Sequence, residues 1–257
     1  MSISSNSSNV TAIPQGFIPQ AGGPSLTESI ALPDGVGWLR ETVSAGTPAS
    51  EPRPVGGAPK RLMDVAIASV ALVLASPVMV AVAACTLATG GGPIIFAHRR
   101  IGFSGKPFYC YKFRTMRPDA AQALERYLAD NPEAAREWRE RKKLKHDPRV
   151  TLLGKLLRVS SLDELPQFVN VLRGEMSCIG PRPVVADELQ LYGGSAADYL
   201  SARPGITGLW QVSGRNSIGY ADRVLLDSQY VRDWSLRRDL MILLRTVFAV
   251  IRVDRTS

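Results

Sequence analysis

Residues 65–89 read VAIASVALVLASPVMVAVAACTLAT, the longest apolar run in the chain. It runs for 25 residues without a charge. At about 1.5 Å per residue, a helix of that length covers a hydrocarbon core of about 30 Å. Two features argue against a plain crossing. Ser76 and Pro77 fall at its centre, where proline removes one helical hydrogen bond and crowds the preceding turn. Lys60 and Arg61 precede it while His98, Arg99, Arg100 and Lys106 follow it, so the positive-inside tendency places both ends on one face. A helix that enters, bends at the Ser-Pro pair and returns satisfies both observations, and the serine hydroxyl can bond a carbonyl that the proline frees. A kinked helix that crosses satisfies the length, and from these residues alone both remain open.

On the N-terminal side, residues 1–59 are rich in Ser, Gly and Pro, show no sustained period and read as a disordered tail. They lack the basic start and apolar run of a signal peptide, so export of the body is not implied. A single helical turn around GVGWLRETV is the only order expected there. On the other side, after the glycines and proline at 90–93, IIFAHRRIGF and KPFYCYKF alternate apolar and polar residues around Ser104 and Gly105, a β-hairpin signal. Residues 118–146 read as a charged helical excursion broken at Asn131 and Pro132. VTLLGKLLRV and the final SLRRDLMILLRTVFAVIRV are amphipathic helices edged by basic residues, suited either to a membrane interface or to a core.

Charge is unevenly placed. The chain of 257 residues carries +8 overall, yet residues 1–59 hold only Arg40 and Arg53 against four acids, leaving +10 on the remainder. Such a body has three usual partners: nucleic acid, an anionic membrane surface or a phosphorylated small molecule. Cys85, Cys110 and Cys178 are far apart, which indicates neither a zinc site nor a disulfide framework and suits reduced thiols. With only His98 and His146 as imidazoles, a histidine-based active site is not expected.

Residues 158–183, RVSSLDELPQFVNVLRGEMSCIGPRP, set the adjacent carboxylates Asp163 and Glu164 among many basic groups. One reading is a capping box, with Ser161 as N-cap and Glu164 reaching back. The other is chemistry, since an aspartate in the first turn of a helix is expected to be anionic and able to attack phosphorus or help hold Mg²⁺. Arginines set in rigid turns, as in GPRP, ARPGITG and SGRN, can present planar forks to phosphate oxygens with little entropy left to lose.

Taken together, KRLMD, the central SP, YKFRTM at 111–116, SLDELPQFVNVLRGEMS at 161–177, GPRP at 180–183 and RPGITGLWQVSGRN at 203–216 resemble the monotopic phosphoglycosyl transferases, a bacterial sugar transferase family. The likeness runs from about Lys60 to Ile251. It implies an α+β monotopic membrane protein: a re-entrant helix over 60–92 broken at Ser76 and Pro77, then a mostly helical catalytic domain over 93–257 with a hairpin and interfacial helices. It implies Asp163 and Glu164 as a catalytic dyad, Asp163 also facing Mg²⁺, with Lys112, Arg114, Arg158, Arg182, Arg203 and Arg215 as substrate-binding residues. The reaction implied is transfer of a hexose 1-phosphate from a UDP-sugar to undecaprenyl phosphate, with UMP leaving and a phosphosugar held on Asp163, as the first membrane step of exopolysaccharide synthesis. Membrane lipid, self-association and downstream glycosyltransferases are the further partners it suggests, with no nucleic acid, at the cytoplasmic face of the bacterial inner membrane. Galactose or glucose is the family-level sugar. A basic binding module and a catalytically silent scaffold are the competing readings; the first leaves SLDELPQ and GPRP unaccounted for, and the intact dyad speaks against the second.

Overall fold

The computed structural model describes residues 52–141, 144–214 and 218–251. The tail before residue 52, with the helical turn expected in it, and Arg215 lie outside the described residues. Helix α1 spans Gly57–Gly90, a hairpin pairs β1 (Ile95–Ile101) with β2 (Pro107–Phe113), and α2 (Ala120–Asp130) and α3 (Pro132–Arg141) form the charged excursion. Then come α4 (Leu152–Val159), a 3₁₀ turn at Leu162–Glu164, α5 (Gln167–Arg173), β3 (Ser177–Ile179), α6 (Ala186–Gln190) and α7 (Ala196–Leu200). The chain continues through β4 (Gly205–Thr207), α8 (Leu209–Ser213), α9 (Tyr220–Arg232) and α10 (Leu236–Ile251). Mixed helix and strand, mostly helical, is the class expected from the sequence.

Helical backbone continues through the Ser-Pro pair, and α1 remains one helix. Proline withdraws the amide that would bond Val73 O, and Ser76 Oγ donates to that carbonyl at 2.8 Å, so the defect is healed within the helix. Val70, Val73, Leu74 and Val80 are each more than half exposed, apolar surface that a water-soluble helix would bury. The helix is long and apolar enough to cross a membrane.

Both ends of α1 nevertheless pack on the same body. Near its start, buried Lys60 pairs with Asp239 at 2.7 Å, and Asp64 Oδ1 accepts from Ser177 Oγ and Cys178 N at 2.9 Å each. Arg61 donates to the carbonyls of Val171 and Leu172 at the C-terminus of α5, where Val171 O also accepts from Gly174 N. Met63, Ile67 and Ala68 join Val171, Met176, Ile179, Tyr230, Val231 and Ile242 in the main core. Towards its end, Met79, Val82 and Ala83 pack with Phe113, Leu157, Leu162 and Leu165.

The hairpin is antiparallel, with Ile95 opposite Phe113 and His98 opposite Cys110, and turns where expected, Ser104 taking φ 53°. Directly opposed residues share a face, so Phe96, His98 and Arg100 lie beside Lys112, Cys110 and Phe108. The outer edge of β2 is closed by a side chain. Asn170 in α5 accepts from Tyr111 N at 3.0 Å and donates to Tyr109 O at 2.7 Å, as a neighbouring strand would. At the base of the charged excursion, Met116 and Val150 form an antiparallel bridge. α2 ends before Asn131 and α3 starts at Pro132, as the sequence suggests. A second, two-stranded sheet pairs β3 and β4 in parallel, Ser177 opposite Gly205 and Ile179 opposite Thr207.

Candidate active site

The two adjacent carboxylates do not open a regular helix. They sit in the Leu162–Glu164 turn, entered through Ser161 in the left-handed region at φ 58°, a conformation that side chains other than glycine seldom adopt. Ser161 makes no capping hydrogen bond with its side chain, and Glu164 turns away to accept from Lys112 Nζ at 2.6 Å. The capping-box reading is therefore wrong here, because Glu164 finds a stronger, charged partner across the fold. Leu162 and Leu165, on either side of the dyad, belong to the cluster containing Val82 of α1. The packing that holds the dyad is thus the packing that holds the second half of the apolar helix.

Asp163 is 8% exposed and enters no salt bridge among the described residues. Burial raises its pKa above the ordinary carboxylate value; Lys112 and Arg158 pull it back, and Glu164 adds to the rise. A 3₁₀ turn of three residues has little dipole, so desolvation outweighs the helix-terminus effect expected from the sequence and the pKa lies above the ordinary value rather than below it. What the site offers is a dehydrated carboxylate whose charge gains stability when a cation approaches.

Two of the expected cationic residues, Lys112 and Arg158, act on the dyad directly, and Arg182 shares the surroundings of Cys110 with Lys112. Lys112 extends from the inner face of the hairpin to Glu164. Arg158, in the last turn of α4, donates from Nε to Thr115 Oγ1 at 2.9 Å and acts on Asp163 electrostatically. Arg182, exposed in the GPRP loop, faces the ring of Trp210 at 6.0 Å. Arg182, Arg100, Lys112 and Glu164 all bear on the Cys110 thiol, which places them in one neighbourhood. Burial pushes that thiol up to about 11, so it is not a nucleophile at neutral pH. Burial, Arg100 and Lys112 hold His98 below its usual range, with Glu188 opposing them. Arg100 itself donates to Pro183 O and Glu188 Oε2, fastening the hairpin to the loop that carries Arg182.

Two others lie elsewhere. The Arg114 guanidinium packs over Gly90 and Gly92 at the C-terminus of α1, where a positive charge complements the helix dipole. It lines a cavity of about 270 Å³ with Thr86, Thr89, Met116 and Thr151. Arg203 donates from Nε to Gly174 O at 2.8 Å, closing the end of α5 beside Arg61. No cluster of three His, Cys, Asp or Glu side chains able to hold a metal occurs among the described residues. An Mg²⁺ ion would therefore draw on the adjacent carboxylates and on oxygens of a bound substrate, a donor set that suits this metal.

Sequence reasoning overlooked three residues that build the site. Gly154 lets α4 approach the chain after β2 so closely that a Cβ there would lie 1.9 Å from Thr115 O. Asn170 holds β2, and hence Lys112, through the bonds described above. Asp227, in the middle of α9, contacts the GPRP loop. Gly154 and Asn170 were visible as a glycine and an amide inside helical patterns, a signal of close approach or of a buried partner; Asp227 had no local signal.

The model of the bacterial sugar transferase family matches residues 56–253. An exopolysaccharide production protein, ExoY, of Rhizobium meliloti is 54% identical over 198 residues, covering 77% of this chain and 88% of that protein. The undecaprenyl-phosphate galactose phosphotransferase of Salmonella typhimurium is 48% identical over 195 residues, 76% of this chain and 41% of its own length. A UDP-glucose:undecaprenyl-phosphate glucose-1-phosphate transferase of Klebsiella pneumoniae is 38% identical over 199 residues, 74% of this chain and 39% of its own.

Proposed function

The chain belongs to the bacterial sugar transferase family, and from that premise we propose that it transfers a sugar 1-phosphate from a UDP-sugar to undecaprenyl phosphate on a membrane, opening the assembly of an exopolysaccharide. The observation that carries this reading is the buried Asp163 carboxylate, free of any salt bridge among the described residues, under the influence of Lys112 and Arg158 and flanked by Leu162 and Leu165, which pack on the apolar helix. A soluble nucleotide-sugar and a lipid-borne acceptor can both reach a group so placed.

In the proposed reaction an Asp163 oxygen attacks the β-phosphorus of the UDP-sugar. The bond from that phosphorus to the bridging oxygen breaks, and UMP leaves with the electron pair. An oxygen of undecaprenyl phosphate then attacks the same phosphorus, and Asp163 departs as a carboxylate. Each step gathers negative charge that Lys112, Arg158 and Arg182 are disposed to receive. Glu164, bonded to Lys112, holds that ammonium toward the phosphates. Mg²⁺, held by Asp163 with the diphosphate oxygens, would supply further neutralising charge. The relative named for galactose is more similar than the one named for glucose, so UDP-galactose is the first donor to test.

The proposed topology is re-entrant, with the catalytic body on the cytoplasmic face of the bacterial inner membrane. The packing of both ends of α1 on one body supports it, as do the exposed apolar side chains Leu152, Leu156 and Val159 of α4 and Leu240, Leu244 and Phe248 of α10, which suit a membrane interface. Cysteines introduced at Arg53 and Lys106 are expected to be labelled from the same side, and opposite-side labelling would refute this topology without touching the chemistry. The chemistry is tested with the wild type and Asp163→Asn, UDP-galactose or UDP-glucose and Mg²⁺. Wild type without acceptor is expected to gain the mass of a hexose phosphate on the peptide holding Asp163, and Asp163→Asn to gain none and release no UMP. Turnover by Asp163→Asn near the wild-type rate would place the nucleophile elsewhere.

A further inference from the structure

The loop that presents Arg182 is pinned along its length. Gly180 N donates to Thr207 O at 2.9 Å, and Gly205 N to Pro181 O at 2.8 Å. Pro183 O accepts from Arg100, Val184 N donates to Tyr199 OH at 3.2 Å, and Val184 O accepts from Ile101 N at 2.9 Å. At Arg182 itself the partner is a carboxylate: Arg182 N donates to Asp227 Oδ2 at 3.3 Å. The same oxygen accepts from Tyr192 OH at 2.9 Å, while Oδ1 is buried without a partner. Asp227 is 1% exposed. The surrounding Val184, Tyr192, Tyr199 and Val224 form a small apolar cluster that needs no carboxylate to pack. Leaving an oxygen of a buried acid unpaired is destabilising, and an apolar residue at this position would avoid it.

We propose that Asp227 is the positioning residue for Arg182: its carboxylate fixes the backbone of the GPRP loop from below and so aims the exposed guanidinium at the phosphates of the donor. The role rests on the proposed sugar-phosphate transfer for its meaning in catalysis, but the contact is independent of it. A carboxylate does this better than an amide because its charge strengthens the bond to Arg182 N and attracts the Arg182 guanidinium. The Trp210 ring lies 6.0 Å from the Arg182 guanidinium and 4.8 Å from that of Arg223. The titratable and charged groups that bear on Asp227 are Tyr192 and Arg182, with Tyr199 and Tyr220 at longer range. Burial pushes this carboxyl up to about 7, so the aiming contact weakens as pH falls through neutrality.

The stability consequence has the opposite sign. With the folded pKa raised above 3.8, the fold binds a proton that the unfolded chain has released, and stability declines as pH rises between 3.8 and about 7. Above that window Asp227 is a strained anion, and Asp227→Asn, which keeps an acceptor for Tyr192 and Arg182, is expected to unfold no more readily than the wild type at pH 8. A carboxylate serving only the fold would lose stability and activity together.

The test uses the full chain in detergent or nanodiscs. UMP release is followed from pH 5.5 to 9 with varied UDP-galactose or UDP-glucose, alongside thermal unfolding and amide exchange of the peptide covering 180–184. Asp227→Asn is expected to raise the donor KM about tenfold at pH 8 with a smaller change in kcat, to lose the wild-type dependence of KM on pH near 7, and to speed exchange in that peptide. Asp227→Glu is expected to recover part of the KM effect. Wild-type KM, pH profile and exchange in Asp227→Asn would overturn the role, as would an activity loss matching a fall in folded fraction. Should Asp227→Asn fail to fold, Tyr192→Phe decides: with one donor to Asp227 removed, the KM transition moves to higher pH, and an unmoved transition overturns the proposal. If the wild type releases no UMP at any pH, the proposed reaction fails while the exchange comparison still decides the contact.

Discussion

Two lysine–carboxylate pairs of nearly equal length behave as different devices. Lys60 meets Asp239 at 2.7 Å with side chains 6% and 0% exposed, and Asp239 also accepts from Tyr230 OH at 2.7 Å and Trp234 Nε1 at 2.9 Å. Lys112 meets Glu164 at 2.6 Å with side chains 35% and 32% exposed. The first pair is dry and saturated, and it clamps the start of α1 to the start of α10. The second is open to water on one side, so its lysine can turn toward an arriving phosphate at little loss. Distance alone does not separate a fastener from a working pair; solvation and the number of other partners do.

The sharpest way to break this contrast is to remove each lysine. Lys60→Met leaves a buried carboxylate without its cation and is expected to destabilise the fold by about 3–5 kcal/mol. Lys112→Met, measured in the same denaturation experiment, is expected to change stability by no more than about 1 kcal/mol yet to slow UMP release about 100-fold. Equal loss of stability in the two variants would make the second pair structural as well.

Gly154→Ala probes the backbone contact behind the working pair. The new methyl would meet Thr115 O at 1.9 Å, and backbone can yield only by moving α4. Thermal unfolding is expected to report a loss of about 1–3 kcal/mol, with turnover reduced as well, because Arg158 rides on that helix. An unchanged melting temperature would show that the approach is looser than described.

The smallest effect expected is the pH dependence contributed by Asp163. Its pKa is raised in the fold by burial, so protonation favours the folded state and stability falls as pH rises from the ordinary carboxylate value through the raised one. Asp163→Asn is therefore expected to flatten this slope and to melt no lower than the wild type at pH 8. A variant less stable at pH 8 than at pH 5, relative to the wild type, would mean that the carboxylate supports the fold.

Much of the chain could be read locally because its signals are local. An uncharged run with a central Ser-Pro pair, alternation on both sides of Ser104 and Gly105, and a helical excursion broken at Asn131 all arise from residues near one another in sequence. The adjacent carboxylates were equally plain, and so were the arginines set in rigid turns. Their environments were not. The capping box failed because Lys112, from another element, takes Glu164, and the upward pull on the Asp163 pKa was not legible because burial is a property of the packed fold.

The sequence by itself determined which segments are helix or strand, where the apolar helix lies, and which residues are chemically able to act. Only the tertiary structure decided that both ends of that helix rest on one body, that Lys112 and Arg158 act on the dyad while Arg114 and Arg203 serve helix ends, and that Asp227 bonds the backbone of the GPRP loop. Propensity and pattern act over a few residues, whereas desolvation and charge pairing depend on groups brought together from positions such as 112 and 164 or 182 and 227, and those distances exist only once the chain has folded.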